Sequence, residues 1–93
     1  MIEEIKRILK DIAMLLRKNG DDDIANNLDK LLKVADYNTD DFVRGARMLL
    51  GGVGSLNDIV LSKCGMPLIE DNNKLEDLRR ELYNVCSSYK YSS

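Results

Sequence analysis

An all-α fold, a compact bundle of about five helices with no sheet, is the architecture the sequence predicts, and three observations predict it. Apolar residues recur at three- and four-residue spacing through most of the chain, the period of a single helix face. Asp, Thr and Ser stand where helix N-caps are needed, and Asn-Gly and Gly-Gly stand where helices stop. No segment sustains two-residue alternation with β-branched enrichment, so strands are not expected. At 93 residues, 44% hydrophobic and 32% charged, the chain reads as one domain, residues 1–93, burying one core.

The first helix starts at Ile2. Its stripe is Ile2, Ile5, Ile8, Leu9, Ile12, Leu15 and Leu16, with Glu3, Lys6, Lys10, Asp11 and Lys18 outside, and Asn19-Gly20 stops it. Asp21, Asp22 and Asp23 then supply the cap and first-turn acids of a second helix, with Ile24, Leu28, Leu31, Leu32 and Ala35 inward. The pair forms a helical hairpin. Tyr37-Asn38 breaks the period, and Thr39 is read as the cap of a third helix burying Phe42, Val43, Ala46, Leu49 and Leu50, ended by Gly51-Gly52. Ser55 caps a short fourth helix, Leu56 to about Lys63, with Leu56, Ile59 and Val60 inward. Gly65-Met66-Pro67 is a turn or short extended link, because the residue before proline is pushed out of the helical region. Asp71 is read as the cap of the last helix, whose stripe is Leu75, Leu78, Leu82, Val85, Cys86 and Tyr89 and which frays at Ser92-Ser93.

Composition narrows the chemistry. There is no histidine, which removes Ser-His-Asp, Cys-His and His-metal sites and points away from an enzyme. A net charge of −2 and a pI near 5.1 argue against nucleic-acid binding, which needs a basic stripe. The apolar runs fall far short of the ~20 residues a membrane span needs, and MIEEIKRILK is charged rather than signal-like, so a cytoplasmic location is expected. Cys64 and Cys86 form no CxxC pair, which excludes a zinc site on ligand count; a disulfide between them is disfavoured in a reducing compartment. No metal, cofactor or catalytic residue is therefore assigned.

Three features stand out, each with a plain structural reading beside the functional one. The run Gly51-Gly52-Val53-Gly54-Ser55-Leu56-Asn57-Asp58 is a glycine-dense loop entering a helix. It lacks the Lys-Ser/Thr pair and preceding strand of a phosphate loop, so Gly51, Gly52, Gly54, Ser55 and Asn57 are read as a sharp interhelical turn. The second feature is the segment 21–41, where Asp21, Asp22, Asp23, Asp29, Asp36, Asp40 and Asp41 face only Lys30 and Lys33. Helix capping accounts for part of it. The functional reading is a surface that presents carboxylates where a basic partner expects phosphate. Asp36, Tyr37, Asp40 and Asp41 are the favoured set because an aromatic can anchor in a pocket while acids surround it, and Asp21–Asp23, roughly 20 Å away along the second helix, are the alternative. The three aspartates are consecutive and lack the spacing of a calcium loop. The third feature is Tyr83, Tyr89 and Tyr91 beside Arg79, Arg80 and Lys90, an interface-like composition that core or boundary packing also explains.

The LLRKNG helix end at 15–20, the GGVGSLNDIVL stretch at 51–61 and the LEDLRRELYNVCSSY helix at 75–89 resemble a family of small bacterial helical proteins with immunity functions in toxin–immunity loci, including contact-dependent growth inhibition. The GG-x-GS-x-ND run is the specific part of the likeness. It implies a cytoplasmic inhibitor that binds a cognate toxin domain, often a nuclease with a basic cleft, and blocks its active site. Toxin-contacting surfaces vary within such families, so no contact residue is carried over, and the glycine motif would be shared scaffold. A monomer or weak dimer is expected. The competing readings are a structural or regulatory helical module, dimeric through its amphipathic faces, and a small carboxylate enzyme built on Asp58 with Asn57. A toxin gene beside this one separates the first reading from the second.

Overall fold

The computed structural model describes residues 1–50 and 59–90. Among these the elements run α1 (Ile2–Lys18), α2 (Asp22–Val34), α3 (Thr39–Met48), β1 (Ser62–Lys63), β2 (Met66–Pro67) and α4 (Ile69–Ser88). The fold is mostly helical, as the spacing predicts, with four helices among the described residues where about five are expected, and with a small two-stranded sheet where none is expected.

Helix α1 is the centre of the molecule. Ile5, Ile8, Leu9, Ile12, Ala13, Leu15 and Leu16 are all buried, a face wide enough to be covered by α2 on one side and α4 on the other. Its end is a Schellman motif. Gly20 adopts φ +81°, its N–H donates to the Arg17 carbonyl at 3.1 Å, and the Asp21 N–H donates to the Leu16 carbonyl at 2.8 Å. The chain reverses there, and α2 returns along α1 with Ala25 and Leu28 buried against it. Helix α3 then packs on α2 and α4 and buries Phe42, Val43 and Ala46. Gly45 lies so close to α2 that a Cβ there would stand 2.4 Å from Leu31 Cδ1, so the helices approach more closely than an alanine allows without moving that side chain.

The caps differ from the sequence reading in two places. Asn38, not Thr39, caps α3, its Oδ1 accepting from the Asp41 N–H at 3.1 Å. Helix α4 begins two residues before Asp71, at Ile69 behind Leu68, and Asp71 is a first-turn acid. Helix α3 ends at Met48, ahead of the glycine pair. Helix α4 ends at Ser88 with Tyr89 extended, ahead of the fraying expected at Ser92-Ser93. The expected roles of Gly51, Gly52, Gly54, Ser55 and Asn57 lie outside the described residues.

The largest correction concerns residues 59–68. Of the expected Leu56–Lys63 helix, residues 56–58 lie outside the described residues; Ile59–Leu61 are irregular, Val60, expected inward, is 69% exposed, and Leu61 is buried instead. Ser62 pairs with Pro67 and Lys63 with Met66 in an antiparallel hairpin closed by Cys64 and Gly65, both with positive φ (53° and 79°). Asn72 of α4 fastens the base. Its Oδ1 accepts from the Leu61 N–H at 2.7 Å, and its Nδ2 donates to the Leu61 carbonyl at 2.8 Å. That carbonyl also accepts from the Leu68 N–H at 2.9 Å. An eight-residue helix gains too little from its own hydrogen bonds to compete with a clamp of this kind.

Candidate functional site

The two acidic clusters sit at opposite ends of α2. Asp21 occupies the N-cap position without a side-chain cap bond, and Asp22 and Asp23 are exposed in the first turn, where the helix dipole favours negative charge. Asp36, Tyr37, Asp40 and Asp41 lie past the other end, around the turn into α3. The thirteen residues of α2 separate the clusters by about 20 Å. Asp29, between them, pairs with Arg17 of α1.

Within the second cluster the four residues have different surroundings. The turn is fixed by backbone hydrogen bonds from Tyr37 and Asn38 to the Val34 carbonyl, at 3.0 and 2.9 Å. It projects Tyr37 into solvent, 88% exposed. Asp36 is also exposed and stands 3.8 Å from Lys6 Nζ, which is 3.5 Å from Glu3 on its other side. Asp41 accepts from Arg44 at 3.0 Å, an exposed pair of small energetic consequence. Asp40 is different. It is partly buried and accepts from the Tyr89 hydroxyl at 2.6 Å, with Thr39 Oγ1 3.3 Å from the same phenol oxygen. This bond joins the start of α3 to the end of α4, so Asp40 has a structural task within the cluster.

Sequence reasoning missed Glu3, Lys6 and Tyr89 as members of this end of the molecule. The signal for the first two was present: antiparallel packing of the first two helices sets residues 3–6 beside residue 36. Tyr89 carried no such signal, since a contact across forty-nine positions follows only from where α4 docks.

The tyrosine- and arginine-rich feature divides. Tyr83 is 61% exposed, Tyr89 is partly buried against the core, and Tyr91 lies outside the described residues. Arg79 and Arg80 both pair with Glu76 on their own helix. Arg47, Leu50, Tyr83, Cys86 and Ser87 line an open depression of about 430 Å³ between α3 and α4. Burial pushes the Cys86 thiol above its ordinary pKa, with the nearby Arg47 charge working against that shift, so the sulfur stays protonated and poorly nucleophilic near neutrality. Cys64 and Cys86 are both free, the first exposed at the hairpin tip and the second buried. A water-soluble disulfide reagent is accordingly expected to titrate one thiol per native chain and two after denaturation. Two fast thiols in the native protein would show that the end of α4 opens readily.

Among the described residues no group of three His, Cys, Asp or Glu side chains could hold a metal ion. No described helix is long and apolar enough to cross a membrane. No family model, no curated protein and no solved structure matches this chain.

Proposed function

We propose that this chain is an immunity-type inhibitor, a cytoplasmic and non-catalytic binding protein that neutralises a cognate toxin domain by occupying a basic active-site cleft. The observation that carries the reading is Tyr37, an almost fully exposed aromatic on a hydrogen-bonded turn, flanked by the exposed carboxylates of Asp36 and Asp41. The turn's backbone is ordered before binding, so only the Tyr37 side chain has to lose freedom on entering a pocket, and acids around it match a cleft shaped for phosphate. Asp40 contributes through the fold, holding the first turn of α3 against Tyr89. Asp22 and Asp23 at the other end of α2 form the alternative surface.

The test is calorimetry against a candidate toxin domain, chosen from the genes neighbouring this one, at low and high salt. Asp36→Lys combined with Tyr37→Ala is expected to weaken binding at least about tenfold and to slow association most at low salt, with the melting temperature unchanged. Asp22→Lys with Asp23→Lys serves as the comparison and should leave binding within about twofold of wild type. The opposite pattern moves the contact to the far end of α2. Binding untouched by either pair removes charge mimicry as the mechanism, and no binding at all by the wild-type chain removes the immunity reading.

A further inference from the structure

Asn19 is the only asparagine in the chain that is followed by glycine. Gly20 carries no side chain to obstruct its own amide nitrogen from approaching Asn19 Cγ, so cyclisation meets little steric resistance here. The reaction is complete with water alone. The Gly20 nitrogen loses its proton and bonds to Cγ, the Cγ–Nδ2 bond breaks and ammonia leaves. Water then opens the succinimide at one of its two carbonyls, leaving aspartate or isoaspartate at position 19.

The folded chain holds every participant away from that path. The Gly20 N–H donates to the Arg17 carbonyl at 3.1 Å. The departing nitrogen, Asn19 Nδ2, donates to the Leu15 carbonyl at 2.9 Å and to Asp71 Oδ2 at 3.2 Å. Ring closure needs the Gly20 nitrogen to swing towards Asn19 Cβ, and the cap conformation of Asn19 (φ −102°, ψ 13°) keeps it elsewhere. The product would also be out of place. A carboxylate at position 19 replaces two donated hydrogen bonds with repulsion from Asp71 and from the negative end of the α1 dipole, which Lys18, 3.7 Å from Asp71, offsets only in part. Isoaspartate adds a backbone methylene inside the Schellman turn.

We propose that Asn19 is a deamidation site gated by folding: the α1–α2 turn and the Asn19–Asp71 bond protect it, and each opening of that turn exposes it to a conversion that weakens the docking of α4 on α1. The intact protein is incubated in mildly alkaline buffer, with and without urea, and conversion at Asn19 is followed by peptide mapping, with Asn27, which precedes leucine, as internal control. Conversion is expected to be about tenfold or more slower in the native protein than in urea. Equal rates overturn the gating. Asn19→Asp is expected to melt roughly 5–10 °C below wild type, and adding Asp71→Asn should recover part of that loss. An unchanged melting temperature overturns the proposed effect of the product, as does a double variant no more stable than the single one. If Asn19→Asp does not fold, the double variant Asn19→Asp with Asp71→Asn is compared with Asp71→Asn alone, and equal melting temperatures overturn the proposed effect of the product.

Discussion

Phe42→Ala is expected to lower stability by about 3–5 kcal/mol, a large share of the roughly 5–14 kcal/mol typical of a chain this long. Phe42 is the one phenylalanine in the protein and is fully buried. It sits on the shortest of the described helices, where only Val43 and Ala46 are buried beside it. Ten residues cannot sustain a helix in water, so α3 depends on burying this ring in the core it shares with the other helices. Removing it leaves a cavity that the neighbouring helices can close only by shifting. Urea titration followed by circular dichroism should show a lower midpoint with an unchanged slope, while Phe42→Leu should lose much less. A loss under about 1 kcal/mol would mean that the site collapses freely and that α3 is anchored elsewhere.

Asn72→Ala is the second large effect, with an expected loss of about 2–3 kcal/mol. The Leu61 carbonyl keeps the Leu68 N–H as a partner, but the Leu61 N–H loses Asn72 Oδ1, its hydrogen-bond acceptor. Leu61 is itself buried, so the orphaned donor lies away from bulk water and its desolvation is not compensated. Native-state hydrogen exchange should show the Leu61 amide exchanging much faster in the variant. Asn72→Asp should fall between the two, because a carboxylate still accepts from the N–H but cannot donate to the carbonyl. Unaltered protection of that amide would show that the hairpin is held to α4 by its side chains alone.

The parts of the fold written in local chemistry were legible in the sequence. Asn19-Gly20 ends α1 because glycine alone adopts φ +81° without strain, and the apolar stripes of α1 and α2 could be read residue by residue. The hairpin was not legible, because its turn is Cys64-Gly65 rather than Asn-Gly and its clamp is a side chain eleven positions away. Leu56, Ile59 and Val60 have helical spacing, and spacing alone cannot reveal that Leu61 is the residue that goes inward. The start of α4 was missed for a related reason. Leu68 carries no cap bond, so nothing local marks the boundary. At the candidate site, the separation of the two acid clusters followed from helix rise, and the distinction between Asp36 and Asp40 did not, since Tyr89 reaches Asp40 only in the assembled bundle.

The central position of α1 has a consequence for how the chain is made. Part of its apolar face is covered by α2, its immediate successor, and part by α4, which comes much later in the chain. A helical hairpin of neighbours closes on the microsecond scale, whereas α4 can arrive only after the intervening loop is closed and after it has been synthesised. Between the emergence of Val34 and that of Ser88, at about 5–20 residues per second, a ribosome leaves the part of the α1 stripe that α4 covers exposed for roughly 3–10 s. During that interval the nascent α1–α2 pair presents an apolar strip to whatever meets it at the exit tunnel, and it is the later-made α4 that withdraws it.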